Sequence, residues 1–185
     1  MTELDLWALV RAAIEGEAGE RTPVVADLVT GPRTADVGGP PGDRALAEGE
    51  LVLCDLVPRR RGYWGDSCST FAVGEPSAAA RSHHRAASEA LERAIEAVRP
   101  GVVAGDIDAR ARPGLEYPHH TGHGLGTSFH EEPRLVPGST VVLEPGMVIA
   151  LEPGSYEGGE GVRVEQIVLV TDQGCELLSG HELAL

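Results

Sequence analysis

Apolar residues recur along this chain at two different periods. Behind Thr2 and Asp5, Leu6, Leu9, Val10, Ala13 and Ile14 fall at helical spacing and predict a helix over 3–18. Pro76-Ser77 opens a second, longer helix. Its buried stripe is read as His83, Ala87, Ala90, Leu91, Ala94 and Val98, and "RPG" at 99–101 closes it. Between the two, the period shortens to that of strands. "TPVVADLVTGP" (22–32) reads as a strand stopped by Gly31-Pro32, and "GGPPGDRALAEGE" as a loop. Segments 51–57 and 62–73 form a hairpin with Arg59-Arg60-Arg61 at its tip. A dozen residues, "VVAGDIDARARP", lead into a histidine segment. A second β-rich half then covers 140–170, where "MVIALEP" and "VRVEQIVLV" flank the turn signal Gly158-Gly159. No linker or low-complexity tract interrupts the pattern, which predicts one mixed domain over 1–185, α/β of the α+β kind.

Composition narrows the chemistry. The 185 residues carry a formal net charge of −14. That charge disfavours nucleic acid as a partner, because neutralising phosphates requires clustered cations. No apolar run approaches the roughly 20 residues of a membrane-spanning helix, and the acidic amino terminus lacks signal-peptide features. A cytoplasmic location is expected. Cys54, Cys68 and Cys175 form neither an even framework nor a CxxC pair, so they are read as packing residues in a reducing compartment. The chain contains no lysine, and arginine supplies all 15 basic residues. Walker-type phosphate loops, pyridoxal enzymes and Schiff-base aldolases are thereby excluded.

The candidate chemistry lies in "HTGHGLGTSFHEEP" (120–133) and in four carboxylates. A first hairpin symmetric about Arg60 and Arg61 would set Asp55 opposite Asp66. The same arithmetic about Gly158-Gly159 sets Glu152 opposite Glu165. Directly opposed carboxylates repel, and Asp55 in "LVLCDLV" and Glu152 in "MVIALEP" stand in apolar stretches where unpaired charge is costly. With one arginine nearby, Arg163, a metal is the economical partner. Four carboxylates with one imidazole, His123 between Gly122 and Gly124, make an oxygen-rich cage for divalent Mn, Co, Fe or Zn.

These segments resemble the pita-bread metallopeptidases, which include methionine aminopeptidase, aminopeptidase P, prolidase and creatinase. The resemblance runs from about residue 3 to 182, through "LVLCD", "GYWGD", "TGHGLG", "FHEEP", "LEPGMVIALEPG" and "VRVEQIVLV". It implies a curved antiparallel sheet with helices on its outer face, incomplete at the amino terminus and without the amino-terminal domain of longer members. It implies Asp55, Asp66, His123, Glu152 and Glu165 as ligands of two divalent ions, manganese foremost. His130 would contact the substrate or its tetrahedral intermediate, His119 would lie beside the pocket, and Arg163 matches the proline-specific branch. The implied activity is hydrolysis of the amino-terminal bond of short Xaa-Pro peptides by a hydroxide shared between the ions, with Glu152 as proton carrier. A homodimer is left open. The alternatives are a small-molecule hydrolase or lyase on the same fold and a non-catalytic binding module. The chain departs from the family in having Val37 and Gly38 where a pocket histidine is common.

Overall fold

The computed structural model describes residues 1–185. The first helix, α1 (Glu3–Ala18), begins in a capping box: Thr2 accepts from the Asp5 amide while Asp5 accepts from the Thr2 amide. Its one buried residue is Glu3, whose carboxylate accepts from the Thr30 amide and hydroxyl and the Gly42 amide and pairs with Arg33. The helix is therefore held by a polar anchor, and Leu4 and Leu9 remain exposed. Strand β1 (Val24–Thr30) leads through a 3-10 turn (Gly31–Asp36) and a loop to β2 (Leu51–Arg60), β3 (Tyr63–Trp64) and β4 (Ser67–Ala72). Helix α2 (Ala78–Ala97), capped by the Ser77 hydroxyl, and the short α3 (Ala104–Ala111) follow. The remainder is β5 (Gly122–Gly124), β6 (Glu131–Leu135), β7 (Val148–Leu151), β8 (Gly154–Glu157), β9 (Glu160–Arg163), β10 (Gln166–Val170) and β11 (Cys175–Leu177).

Every strand pairing is antiparallel. Strand β2 is central to one sheet, between β1 and β4, with β3 continuing its hairpin. A second sheet has the order β11-β10-β7-β5-β6, and β8 and β9 form a separate hairpin.

The first hairpin corrects the predicted register. Its turn is Arg61-Gly62, with φ 51° and 92°, the left-handed pair that a two-residue hairpin requires. The tip therefore lies one residue beyond the Arg60-Arg61 midpoint. Asp55 faces Cys68 on β4 and, on its other side, Asp27 on β1. Pairing moves by two residues, an even number, so Asp66 keeps to the face of Asp55 as a diagonal neighbour. The second hairpin follows the prediction. Gly154 pairs with Arg163 and Leu151 with Gln166, so Glu152 and Glu165 oppose each other where the ladder is interrupted. Their amides bond elsewhere, Glu152 to the Thr121 carbonyl and Glu165 to the Cys68 carbonyl.

The core forms where the alanine face of α2 (Ala80, Ala87, Ala94) and α3 (Ala104, Ala111) meets Leu135, Ile149, Leu151, Val162, Val164 and Val168. Small alanines let the helices approach closely. His83 does not belong to this stripe: it is half-buried, with Nδ1 2.8 Å from the Ser155 hydroxyl. Strand alternation does the rest, since Val162 and Val164 enter the helix-side core and Arg163 and Glu165 take the opposite face.

Gly122 sits between β6 and β7, where a Cβ would run into the Ala150 carbonyl oxygen. Gly122→Ala is expected to lower stability by about 1–3 kcal/mol through backbone displacement, read as a lower urea midpoint at unchanged m. A midpoint equal to wild type would show that the sheet accommodates the methyl.

Candidate metal centre

A cavity of about 240 Å³ opens on the face away from α2 and is lined by carboxylates and imidazoles: Asp27, Asp55, Asp66, His119, His120, His123, His130, Glu152 and Arg163, with Val25, Val57 and Phe129. Of the sequence-selected residues only Glu165 is missing from this lining, because it lies beneath the cavity, 1% exposed. One oxygen each of Asp55, Asp66 and Glu165 comes within 4.8 Å of the others. His123 completes the group, its Nε2 3.5 Å from Asp66 Oδ2 and 3.3 Å from Glu152 Oε1. All five predicted donors thus converge from β2, the β3–β4 link, β5 and the two sides of the interrupted ladder.

The electrostatics of this cluster are strained. Burial raises Glu165 well above the ordinary carboxylate range, with Asp66, Asp55 and Glu152 adding to it. Burial raises Asp55 to about 7, against the pull of Arg163, and raises Asp66 against its contact with His123. Glu152 moves the opposite way. Burial is outweighed by hydrogen bonds from His120 and His123 and by Arg163, so it stays ionised. For His123 burial is likewise outweighed, by Asp66 and Glu152, and it rises to about 9. Asp55 Oδ1 and both Glu165 oxygens are buried with no hydrogen-bond partner. Buried carboxyl oxygens without hydrogen-bond partners, beside an imidazole nitrogen, fit a divalent cation.

Arg163, 3% exposed, engages each of its three nitrogens within the protein. Its Nη2 donates to Asp55 Oδ2 at 2.5 Å, Nη1 to the Val37 carbonyl at 2.8 Å and Nε to the Cys68 sulfur at 3.3 Å. Val37 takes φ 74°, a costly conformation for a β-branched residue, and in doing so presents that carbonyl. The departure at 37–38 therefore has a local use: it clamps the arginine that clamps Asp55. Cys68 packs with Val29 and Leu53, and all three cysteines are free.

His119 lines the cavity with both nitrogens engaged: Nδ1 donates to the His120 carbonyl at 2.8 Å, leaving Nε2 to accept from the Tyr156 hydroxyl at 2.9 Å. Burial lowers it to about 4, as burial and the neighbouring cations do for His130, which stands exposed at the mouth.

Several participants escape a sequence reading. His120 Nε2 lies 2.7 Å from Glu152 Oε1. Asp108, 1% exposed, accepts from Arg112 and from Thr121 Oγ1 at 2.6 Å, while Arg112 also donates to the Tyr117 and His119 carbonyls. This buried network ties α3 to the backbone that presents the histidines. The one available signal was the i,i+4 pair Asp108/Arg112 leading into that segment.

With this geometry in place, comparison with known proteins assigns the family. Residues 1–172 match metallopeptidase family M24, and the chain belongs to it. It is 38% identical over 193 aligned residues to the probable dipeptidase PepE of Mycobacterium tuberculosis, covering 98% of this chain and 51% of that protein. The prolidase from Pyrococcus furiosus superimposes with a TM-score of 0.92 at 33% identity, covering 98% of this chain and 56% of its own. The X-Pro aminopeptidase from Thermotoga maritima gives 0.94 at 29%, covering 100% and 54%. The fold is the pita-bread fold, and the chain spans about half the length of the curated relatives it matches. No helix is long and apolar enough to cross a membrane.

The titration behaviour gives a measurable signature. Asp55 and Glu165 hold protons longer in the folded state than unfolded, so their contribution is lost as pH rises through the folded value, about 7 for Asp55. His123, raised from 6.5 to about 9, behaves alike over that interval. His119 and His130, lowered to about 4, add stability with rising pH only up to 6.5 and offset the carboxylates there. The metal-free chain should therefore lose stability between pH 6.5 and 9, read from urea midpoints. A flat or rising profile over that interval would refute the buried cluster.

Proposed function

We propose that this chain is the metal-binding catalytic domain of a peptidase that hydrolyses the amino-terminal bond of short Xaa-Pro peptides, working in the cytoplasm. The observation that carries the proposal is the group of partnerless buried oxygens of Asp55 and Glu165 converging with Asp66, His123 and Glu152. The names of the relatives, dipeptidase, prolidase and X-Pro aminopeptidase, support the substrate class.

Asp55, Asp66, His123, Glu152 and Glu165 would hold two divalent ions, manganese first. When bound, such ions supply Lewis acidity to a scissile carbonyl and acidify a water toward neutral pH. The remaining work falls to the protein. Glu152, kept ionised by His120 and His123, accepts the water proton at its carboxylate and returns it to the leaving amine. The prolyl amine is secondary and leaves poorly unless protonated. His130, free at the mouth, donates to the developing oxyanion. Arg163 holds Asp55 in place, donating to it through Nη2. His119 forms the wall, fixed by Tyr156. A cavity of about 240 Å³ with Val25, Val57 and Phe129 at its apolar side suits a prolyl ring and one neighbouring residue.

Asp66→Ala and Glu165→Ala should each abolish Mn2+ binding and hydrolysis together, by metal analysis and assay with Xaa-Pro dipeptides, Xaa-Pro-Yaa tripeptides and Met-Yaa peptides. Wild-type metal content in either variant would disprove the ligand set. His130→Ala should retain metal and lower kcat by about 10²- to 10³-fold, the usual cost of losing an oxyanion donor. Hydrolysis of Met-Yaa in preference to Xaa-Pro would overturn the specificity.

A further inference from the structure

The cavity contains a second donor set of different character. His120, His123 and His130 bring one ring nitrogen each within 4.8 Å of the others, with ring centroids 4.2–5.2 Å apart. Glu152 Oε1 stands beside them, 2.7 Å from His120 Nε2 and 3.3 Å from His123 Nε2. The chain builds this group locally. His120 and His123 flank the start of β5, and the irregular β5–β6 pairing after His123 returns the chain so that His130 arrives over the His123 ring.

We propose that His120, His123 and His130, with Glu152 as a fourth donor, form a nitrogen-rich site for a single borderline ion such as Zn2+, Ni2+ or Cu2+, which competes with the carboxylate-held ions for His123. Three imidazoles and a carboxylate suit these ions, whereas an oxygen-rich set suits Mn2+. Competition follows from His123 itself. Its Nδ1 hydrogen is committed to the Gly124 carbonyl at 2.9 Å, so Nε2 offers the ring's one lone pair and serves one ion at a time. An ion among the histidines also engages His130 and Glu152. On the function proposed above, which this inhibitory consequence rests on, the nitrogen-bound form is inactive.

Arg134 opposes the site. Its Nη1 lies 3.3 Å from His120 Nδ1 and donates there, which leaves the ring hydrogen on Nε2, directed at Glu152. To ligate through Nε2, His120 must move that hydrogen to Nδ1, and Arg134 must swing aside. Arg134 is thus a gatekeeper against the wrong ion, an effect that a purely structural role for His120 does not predict.

The test uses the full chain, stripped of metal, with Cu2+ as the probe read by electron paramagnetic resonance and by titration, and Mn2+ titrated in parallel. We expect three-nitrogen superhyperfine structure in wild type and loss of bound Mn2+ as that Cu2+ signal grows. The Cu2+/Mn2+ affinity ratio should fall at least about tenfold in His120→Phe and in His130→Phe, and Cu2+ should bind more tightly in Arg134→Ala. His130 is exposed, so its variant tests the site even if His120→Phe folds poorly. A one-nitrogen spectrum, an unchanged affinity ratio in His130→Phe, or simultaneous non-competing binding of both ions would overturn the proposal. These readouts are of binding alone. Failure to cleave Xaa-Pro peptides would count against the function and leave this result standing.

Discussion

Mutual repulsion among carboxylates buried in one cavity is the constraint to which the rest of the molecule answers. Asp55, Asp66, Glu152 and Glu165 are carried in by two hairpins, and their charges would drive those hairpins apart in a dry interior. The structure responds with hydrogen-bond donors. Arg163 is directed at Asp55, and the His120 and His123 rings at Glu152, which leaves both Glu165 oxygens and one oxygen of Asp55 without a hydrogen-bond partner. Much of the surrounding fold holds these partners in position. Val37 adopts an unfavourable backbone angle to brace Arg163, and Asp108 with Arg112 braces the strand that carries the histidines.

The two halves of the molecule divide the labour. Helices α2 and α3 present alanine to the sheets and supply a close-packed, unreactive backing. The opposite sheet faces carry nearly all the ionisable side chains that matter. One strand serves both purposes because adjacent residues point to opposite sides, and a site built on strands inherits the rigidity of the core behind it.

The parts legible in the sequence were those governed by short-range rules. The capping pair at Thr2 and Asp5, the alanine-rich periodicity of α2 and the glycine pair at the second hairpin each act within a few residues, and each appeared where expected. Asp55 and Glu152 stood out because carboxylates in apolar runs are conspicuous, and the structure brings them together with Asp66, His123 and Glu165. The first hairpin's register failed because the three arginines drew the tip toward themselves, although the left-handed turn is set by Gly62. Asp27 was missed because it faces Asp55 across the separate β1–β2 pairing, between strands joined by a long loop with no tight turn to fix their register. His120, Tyr156 and Asp108 act through contacts between separate segments, so neither the histidine cluster nor the Asp108/Arg112 spacing discloses their partners. Arg163 was found, but its bonds to Asp55, Val37 and Cys68 were not foreseeable, because Val37 lies in a loop of no regular period.

The alternation of β9 limits how this chain can vary. Val162 and Val164 join the helix-side core while Arg163 and, just past the strand's end, Glu165 take the side of the carboxylate cluster, so this stretch reads as two interleaved messages, one for packing and one for charge. Loss or gain of a single residue between the Gly158-Gly159 turn and Glu165 would exchange the messages, driving an arginine and a glutamate into a bed of alanines and presenting valines to the cavity. Changes in steps of two leave both intact. Length variation in this hairpin therefore favours even steps, and an odd step keeps the site only where a bulge or the turn takes up the extra residue.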